Sequence, residues 1–238
     1  MEENNMVQVV EAKPQAPSKF LVIGEPFSGK TTLASKAPKP LFISTDGNAA
    51  KSGLAAVNVT SVQDIKETVQ LFMESKGKYK TLVIDTIEGL VDIFTEEVLG
   101  EFKRKGIRGE DGGELKSLND MSWGKGSAAL KKRISAFAQA LASLEGNVII
   151  LSYTKRRHDD VSGSIVLDSE LKDIRLFTKF MDAQIITVFD GEKYKAQLIS
   201  KREIMAGDVD LGEIASFLDA VGWEMARKST KVGKAQKR

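Results

Sequence analysis

Eight consecutive residues of the chain have the types and the spacing that can hold a polyphosphate. They are Gly24-Glu25-Pro26-Phe27-Ser28-Gly29-Lys30-Thr31, which fit the pattern G-x-x-x-x-G-K-[ST]. The apolar run 20–23 before them predicts a β-strand, and residues 32–36 after them predict the start of a helix. A phosphate-binding loop requires this order of strand, loop and helix. The sequence therefore predicts that these residues bind the phosphates of a nucleotide.

Each residue type in this loop has a physical reason. Glycine at positions 24 and 29 lets phosphates approach the backbone N–H groups and tolerates positive φ. Lys30 is expected to reach the β- and γ-phosphates, and the hydroxyl of Thr31 is expected to bind Mg²⁺. Thr32 is expected to contact an outer phosphate oxygen. The predicted nucleotide-binding residues are Gly24, Glu25, Pro26, Phe27, Ser28, Gly29, Lys30, Thr31 and Thr32.

A second apolar run supplies a carboxylate for the metal ion. Residues 81–84 predict a buried strand, and Asp85 follows it directly. Because ligands bind at the carboxyl ends of parallel strands, we expect Asp85 to hold Mg²⁺ together with Thr31. Asp85 also precedes a helical pattern of apolar residues, so a helix cap is the alternative, and both roles can hold at once.

The composition excludes several classes of protein. The chain has 238 residues, of which 42% are hydrophobic, and this is enough for the core of one α/β domain. It contains no cysteine and one histidine, which excludes disulfides and a Cys/His zinc site. No apolar run has the length of a membrane span, and the opening residues MEENN lack the features of a signal peptide. We therefore expect a soluble, cytoplasmic protein that has no membrane partner.

Strand and helix patterns alternate along the chain. Five apolar runs predict strands, at 20–23, 41–44, 81–84, 148–152 and 184–189. This alternation is typical of a doubly wound α/β fold, in which helices flank a mostly parallel sheet. A hairpin is expected from the last run through Gly191 to 195–200, and a short helix over 211–218. The predicted organisation is a flexible arm over 1–18, one domain over 19–225 and a disordered basic tail over 226–238.

Two segments fit neither pattern and contain many basic residues. Segment 103–126 carries six lysines and arginines together with Trp123, a combination that can grip a phosphate backbone and stack a base. Segment 155–169 opens with KRRHD, which is either a solvated charge run or a nucleic-acid contact. Within it, His158 is expected to be a surface residue rather than a catalyst. The basic tail has the same two interpretations, polyanion binding or solubility.

The order of these parts resembles the RecA-like ATPase core, and most closely the short phage-encoded P-loop proteins of single-strand annealing and recombination. The resemblance spans residues 18–204, and its specific motifs are the phosphate-binding loop, the strand end at Asp85, the strand 148–152 and the closing strand that ends at 201–203. It implies a RecA-like fold, ATP and Mg²⁺ as ligands, a homo-oligomer, and single-stranded DNA as the partner. It also implies the host cytoplasm as the location, a single-strand-binding protein as a further partner, and a DNA path along the two basic segments.

The resemblance also implies roles for three further residues. Asp46, which follows the second strand, would orient the attacking water, although RecA-like enzymes commonly have a glutamate there. Lys201 and Arg202 would contact the γ-phosphate bound by a neighbouring subunit. The family usually has a glutamine sensor where this chain has Ser152-Tyr153-Thr154. The implied catalytic residues are Lys30, Asp46, Asp85, Lys201 and Arg202.

Two other functions remain open from the sequence. The first is a nucleotide kinase, in which segment 103–126 with Arg104 and Arg108 would form a lid over two phosphates. The second is a nucleotide-dependent switch or loader that hydrolyses its nucleotide poorly. A GTPase is disfavoured, because the chain has no Asn-Lys-x-Asp or Thr-Lys-x-Asp motif to recognise guanine.

Overall fold

A computed structural model of the chain describes residues 18–158, 165–169, 171, 174–201 and 218, with the backbone alone for 156–158, 165–169 and 200–201. Several sequence predictions lie outside these residues. They are the N-terminal arm except Ser18, the basic tail, the helix over 211–218 except Leu218, and Arg202. The proposed boundaries of the domain at 19 and 225 therefore stay predictions.

Eight strands form one sheet within the described residues. Their bounds are β1 Lys19–Gly24, β2 Pro40–Ser44, β3 Ala56–Asn58, β4 Thr81–Asp85, β5 Asn147–His158, β6 Ile165–Ser169, β7 Ala183–Phe189 and β8 Tyr194–Lys201. The order across the sheet is β3-β2-β4-β5-β1-β7-β8, and β6 pairs with the far part of β5. Strands β3 to β7 along this path are parallel, whereas β5–β6 and β7–β8 are antiparallel hairpins.

Helices connect the parallel strands. Their bounds are α1 Lys30–Ala34, α2 Asn48–Lys51, α3 Val62–Glu74, α4 Ile87–Arg104, α5 Lys125–Ser143 and α6 Arg175–Thr178. Two short 3₁₀ turns, Leu118–Asp120 and Ser122–Gly124, lie between α4 and α5. None of the helices in the described part of the chain combines the length and the apolarity needed to span a bilayer.

The core lies on both faces of the sheet. Along β1, Leu21 belongs to one buried cluster and its neighbour Val22 to the other, because successive strand side chains point to opposite faces. Helices α3, α4 and α5 cover the first face, and α1 covers the second. Burial on both faces explains why the parallel strands are continuous apolar runs. The predicted fold class is confirmed: a mostly parallel sheet flanked by helices, with a C-terminal hairpin, as expected for a RecA-like P-loop core.

The two basic segments are more regular than the sequence suggested. In the segment 155–169, the described residues 155–158 and 165–169 are paired strands and not an irregular loop: β5 continues to His158 and pairs with Ile165–Ser169. Charged residues at the end of β5 hid this hairpin, since they break the apolar pattern of the strand. The short edge strand Ala56–Asn58 was also missed, because three residues are too few for a pattern.

Segment 103–126 is anchored rather than loose. Helix α4 extends to Arg104, and α5 begins at Lys125, before the first apolar residue of the pattern that predicted it. Between them, Ser117 and Asp120 form a capping box, and a small core of Val98, Leu99, Leu115, Leu118 and Met121 holds the segment against α4. The ion pairs of Arg133 with Glu97 and Glu101 join α5 to α4.

A pair of glycine substitutions tests this anchoring. A Cβ on Gly126 would lie 2.3 Å from the carbonyl oxygen of Leu118, so Gly126→Ala should lower the free energy of unfolding by about 1–3 kcal/mol. Gly100, inside α4, has nothing within 4 Å of such a Cβ, so Gly100→Ala should raise it by about 0.5–1 kcal/mol. Urea unfolding of the two variants measures both signs. Equal changes in the unfolding free energy of the two variants would contradict the close packing of Gly126 against Leu118.

Candidate nucleotide and metal site

The predicted phosphate-binding residues lie at the carboxyl edge of the parallel strands. The register places Gly24 of β1 opposite Tyr153 of β5 and Thr187 of β7, and it places Ser44 of β2 opposite Asp85 of β4. A cleft of about 490 Å³ opens at this edge. Its lining residues are Pro26, Phe27, Ser28, Gly29, Lys30, Thr31, Thr32, Asp46, Asn48, Lys51, Ser52, Asp85, Tyr153 and Tyr194.

The loop between β1 and α1 needs its two glycines for different reasons. Gly29 has φ 89°, the left-handed conformation that glycine adopts without strain. Gly24 is part of β1 and does not have a positive φ, which corrects the role predicted from the sequence. A Cβ there would lie 2.3 Å from the Ser28 hydroxyl and 2.4 Å from the Thr187 hydroxyl. Gly24 therefore lets the loop fold back onto β7, where Ser28 and Thr187 share a 2.8 Å hydrogen bond.

Lys30 is buried in the loop, with 5% of its surface exposed. Its ammonium donates hydrogen bonds of 2.9 Å to the carbonyl oxygens of Gly24 and Glu25. It also lies 4.4 Å from the centroid of the Tyr153 ring, within the range of a cation–π contact. The carbonyls and the ring hold the positive charge at the cleft, where a polyphosphate would need it.

Thr31 and Asp85 meet across the sheet, as the sequence predicted. The Thr31 hydroxyl donates a 2.8 Å hydrogen bond to Oδ2 of Asp85. Asp85 does not cap α4, whose N-cap is Thr86, so the cap alternative is not what the structure contains. Only 4% of Asp85 is exposed, and this burial raises the pKa of its carboxyl above the ordinary value. The hydrogen bond from Thr31 opposes the rise in pKa, and the nearby Asp46 carboxylate adds to it.

This pair fits the coordination that Mg²⁺ prefers. Mg²⁺ binds hard oxygen ligands, and in nucleotide enzymes it takes one or two from the protein and the rest from phosphates and water. Thr31 and Asp85 supply two such oxygens beside the phosphate loop. A buried carboxylate whose desolvation is costly also gains more from a divalent cation than an exposed one does. The donor set therefore agrees with a metal shared between protein and nucleotide.

Asp46 lines the same cleft on the side of β2. It is exposed, and its carboxylate accepts hydrogen bonds from the backbone N–H of Asn48, at 2.9 Å, and from the Asn48 side chain, at 2.6 Å. These contacts close the turn that leads into α2. The carboxylate is thus held at the cleft by local bonds, and its role toward water stays a prediction.

Glu88 is a buried contact that the sequence did not reveal. It lies in the first turn of α4, and its Oε1 accepts hydrogen bonds from the Ser152 hydroxyl, at 2.6 Å, and from the Tyr153 N–H, at 2.9 Å. Glu88 therefore fixes β5 at Ser152 and Tyr153, in the stretch where the glutamine of RecA-like proteins was expected. Because the ring of Tyr153 contacts Lys30, this bond also supports the phosphate loop.

The remaining predicted residues are placed to different degrees. Thr32 and Pro26 line the cleft, and the carbonyl of Glu25 accepts from Lys30. Lys201 is the last residue of β8, and only its backbone is described. Arg202 lies outside the described residues, so the roles of both cations stay predictions. The sequence missed Thr187, Tyr194, Asn48, Lys51 and Ser52, which also reach the site or support it. They carry no motif, although strand ends next to a phosphate loop are a general signal for such residues.

The raised pKa of Asp85 predicts a pH dependence of stability. Between about pH 4 and the raised pKa, the folded chain binds a proton that the unfolded chain has lost, so the unfolding free energy falls as pH rises. Asp85→Asn should remove this slope, because asparagine stays neutral and can still accept from Thr31. Urea unfolding of both proteins from pH 4 to 8 measures the difference. Parallel pH profiles of the unfolding free energy in the two proteins would contradict a raised pKa at Asp85. In a separate measurement at pH 7, Mg²⁺ with nucleotide should strongly stabilise the wild type and not the Asp85→Asn variant.

The contacts of Glu88 predict an effect on stability as well. Glu88→Ala removes the acceptor for the buried Ser152 hydroxyl and for the Tyr153 N–H, and should lower the unfolding free energy by about 1–3 kcal/mol. Glu88→Gln keeps an acceptor oxygen and should lose clearly less. Denaturant unfolding of both variants provides the measurement. An equal loss in the two would mean that the charge, and not the hydrogen bonds, is what matters.

A family model and a solved structure are similar to this chain. No curated protein matches the chain. Among solved structures, the KaiC-like protein PH0186 from the hyperthermophilic archaeon Pyrococcus horikoshii OT3 is similar, at 13% identity over 78% of this chain and 80% of that chain, with a TM-score of 0.44. The family model described as AAA domain matches residues 16–183, which include the phosphate loop, Asp46, Asp85 and Tyr153. The chain therefore belongs to the AAA domain family and has the P-loop ATPase core that its sequence predicts.

Proposed function

We propose that the chain is a Mg²⁺-dependent ATPase that binds single-stranded DNA as a homo-oligomer and promotes annealing or strand exchange in phage recombination or replication. The observation that carries the ATPase part is the Thr31–Asp85 hydrogen bond of 2.8 Å beside the buried Lys30. A cation, a metal-binding hydroxyl and a desolvated carboxylate meet there at one phosphate loop. These are the parts that phosphoryl transfer requires.

The residues of the site divide the chemistry among them. Mg²⁺, when bound, would neutralise charge on the β- and γ-phosphates. Lys30 stabilises the charge that develops on the transferred phosphoryl group, and Thr31 and Asp85 fix the metal. Asp46 accepts a hydrogen bond from the attacking water and so orients it. Lys201 and Arg202 act on the nucleotide of a neighbouring subunit, which makes efficient hydrolysis dependent on assembly.

Trp123 supports the DNA part of the proposal. Its side chain is 94% exposed although it is the largest apolar side chain type, and its φ of 59° is rare for a residue other than glycine. The neighbouring Met121 and Gly126 are buried, so the backbone that presents Trp123 is fixed on both sides. An exposed, fixed indole within a lysine- and arginine-rich segment suits the stacking of a nucleobase.

Strand β5 supports a coupling between the nucleotide and DNA. It runs from the buried core through Tyr153, which contacts Lys30, into the pairing with β6 that begins at Thr154. Three basic residues follow Thr154 in the sequence. One continuous strand therefore connects the phosphate loop to this hairpin, so that a shift of Tyr153 would also displace the hairpin.

The alternative of a nucleotide kinase has less support. Arg104 lies sixteen residues along α4 from Glu88, a distance of about 24 Å at 1.5 Å per residue. Residues 103–126 contribute nothing to the lining of the cleft, and a buried cluster holds their segment to α4 and α5. A lid over two phosphates would have to start from closer to the loop. A measurement of the ATP turnover rate distinguishes the remaining alternative, a switch that hydrolyses its nucleotide weakly, from the proposed ATPase.

The proposal is tested by ATP hydrolysis with Mg²⁺, in the presence and absence of a single-stranded oligonucleotide. Turnover should rise with single-stranded DNA and not with a nucleoside monophosphate, and light scattering should show assembly. Lys30→Ala should reduce turnover to background, because the charge at the loop is lost. Stimulation by the monophosphate would instead select the kinase, and tight ATP binding with negligible turnover would select the switch.

Trp123→Ala provides the DNA-binding arm of the same experiment. The affinity for single-stranded DNA should fall roughly 5- to 150-fold, the range for loss of one stacked base. Met73→Ala is the matched control, since Met73 is an exposed apolar residue on α3 with 60% of its surface accessible. An unchanged affinity of the Trp123 variant would exclude the indole as a contact.

A further inference from the structure

An aromatic ring lies at the end of the cleft away from the metal pair. Tyr194 is the first residue of β8, and its ring packs over the turn of the phosphate loop: a Cβ on Gly29 would lie 3.0 Å from its Cδ1. The side chain nevertheless has 66% of its surface exposed and lines the cleft. A flat apolar face is thus open toward the space beside the phosphate loop.

The position of this ring is fixed by the hairpin that carries it. Phe189 of β7 backs Tyr194, with the ring centroids 4.7 Å apart and an interplanar angle of 34°. At the turn between the two strands, the Asp190 carboxylate accepts hydrogen bonds from the N–H groups of Glu192 and Lys193, at 3.0 and 2.8 Å, and pairs with Lys195. The ring is therefore held in place before any ligand arrives, which lowers the entropic cost of stacking.

The two ends of the cleft differ in chemistry. In the order β4-β5-β1-β7-β8, Asp85 and Tyr194 lie four strand spacings apart, about 19 Å at 4.8 Å per strand, with the phosphate loop of β1 midway. The β4 end has carboxylates and a hydroxyl, the loop has a cation, and the β8 end has an exposed ring. A nucleoside triphosphate has the same polarity, from a metal-bound phosphate to a flat base.

We infer that Tyr194 stacks against the nucleobase of the bound nucleotide and so sets which nucleotides the site accepts. This inference rests on the proposed function, because it takes the phosphate loop as the site of the triphosphate. It orients the nucleotide with its γ-phosphate toward Asp85 and its base toward β8. Stacking acts on the face of a base, so the site prefers large purine rings over pyrimidines and does not separate adenine from guanine by this contact.

The experiment compares a nucleotide with a ligand that has phosphates and no base. Equilibrium binding of Mg²⁺-ATP and of Mg²⁺ with inorganic tripolyphosphate is measured for the wild type, Tyr194→Ala and Tyr194→Phe. Tyr194→Ala should weaken ATP binding roughly 5- to 150-fold and leave tripolyphosphate binding unchanged. Tyr194→Phe keeps the ring and should bind ATP like the wild type. The control is Ile199→Ala, an exposed apolar position on the same strand.

The results distinguish a failure of the stacking contact at Tyr194 from a failure of the nucleotide site itself. A wild-type protein that binds ATP about tenfold more tightly than CTP, with the difference lost in Tyr194→Ala, supports the stacking contact. A parallel loss of ATP and tripolyphosphate affinity in Tyr194→Ala would overturn it, because the ring would then act only by packing on the loop at Gly29. Unchanged ATP affinity in that variant would overturn it as well. If the wild type binds neither ligand, the nucleotide site itself is refuted.

Discussion

A buried carboxylate next to a threonine hydroxyl is the constraint on which this site depends. Asp85 is almost fully removed from water, and its ionised form is therefore costly, as the raised pKa records. Thr31 offsets part of that cost with one hydrogen bond, and the charge of Lys30 offsets a further part. A carboxylate in this environment binds a divalent cation strongly, because the cation offsets the cost of its desolvation.

The alignment of the parallel strands makes this contact possible. Thr31 follows β1 and Asp85 ends β4, and β5 separates the two strands in the sheet. The hydrogen bond between them spans that gap because β1 and β4 end beside neighbouring residues of β5: Gly24 pairs with Tyr153, and Ile84, the residue before Asp85, pairs with Ile150. Glu88 then fixes the intervening strand at Ser152 and Tyr153. A displacement of β5 would therefore be transmitted both to the phosphate loop and to the hairpin beyond it.

The sequence predicted the parts of the molecule whose signal is local. The phosphate loop, the strand ending at Asp85 and the apolar runs of the sheet each lie within about ten residues, and their expectations agree with the structure. The contacts formed between distant parts of the chain were not predictable in this way. Thr187 reaches Ser28 across 159 positions of sequence, and it is this contact that requires glycine at position 24. The motif predicts a glycine at position 24, but the contact that requires this glycine involves Thr187, on a strand far along the chain.

Charge patterns misled the sequence interpretation where strands are exposed. The basic end of β5 was expected to be a loop, because its run of charged residues breaks the apolar pattern that marks the earlier part of the strand. That hairpin is formed by the backbone pairing of Thr154–His158 with Ile165–Ser169. The same reasoning applies to Tyr194, an exposed aromatic residue in a polar hairpin that no periodic pattern marks.

Trp123 and Tyr194, like Phe27 and Phe189, are exposed aromatic residues, and exposure of such rings runs against the hydrophobic effect that forms the rest of the fold. Burial of a large apolar side chain stabilises a protein by roughly 1.5–3 kcal/mol, so exposure gives up that gain. Trp123 adds the cost of a positive φ, on the order of 1–3 kcal/mol for such a conformation. In both cases the surrounding backbone is fixed by buried contacts or by a braced turn. Neighbouring residues that hold such a ring in an exposed position make it available to a ligand with a flat face. Trp123 and Tyr194 lie in different parts of the molecule. This separation is consistent with one ring for the bound nucleotide and the other for a second, larger partner.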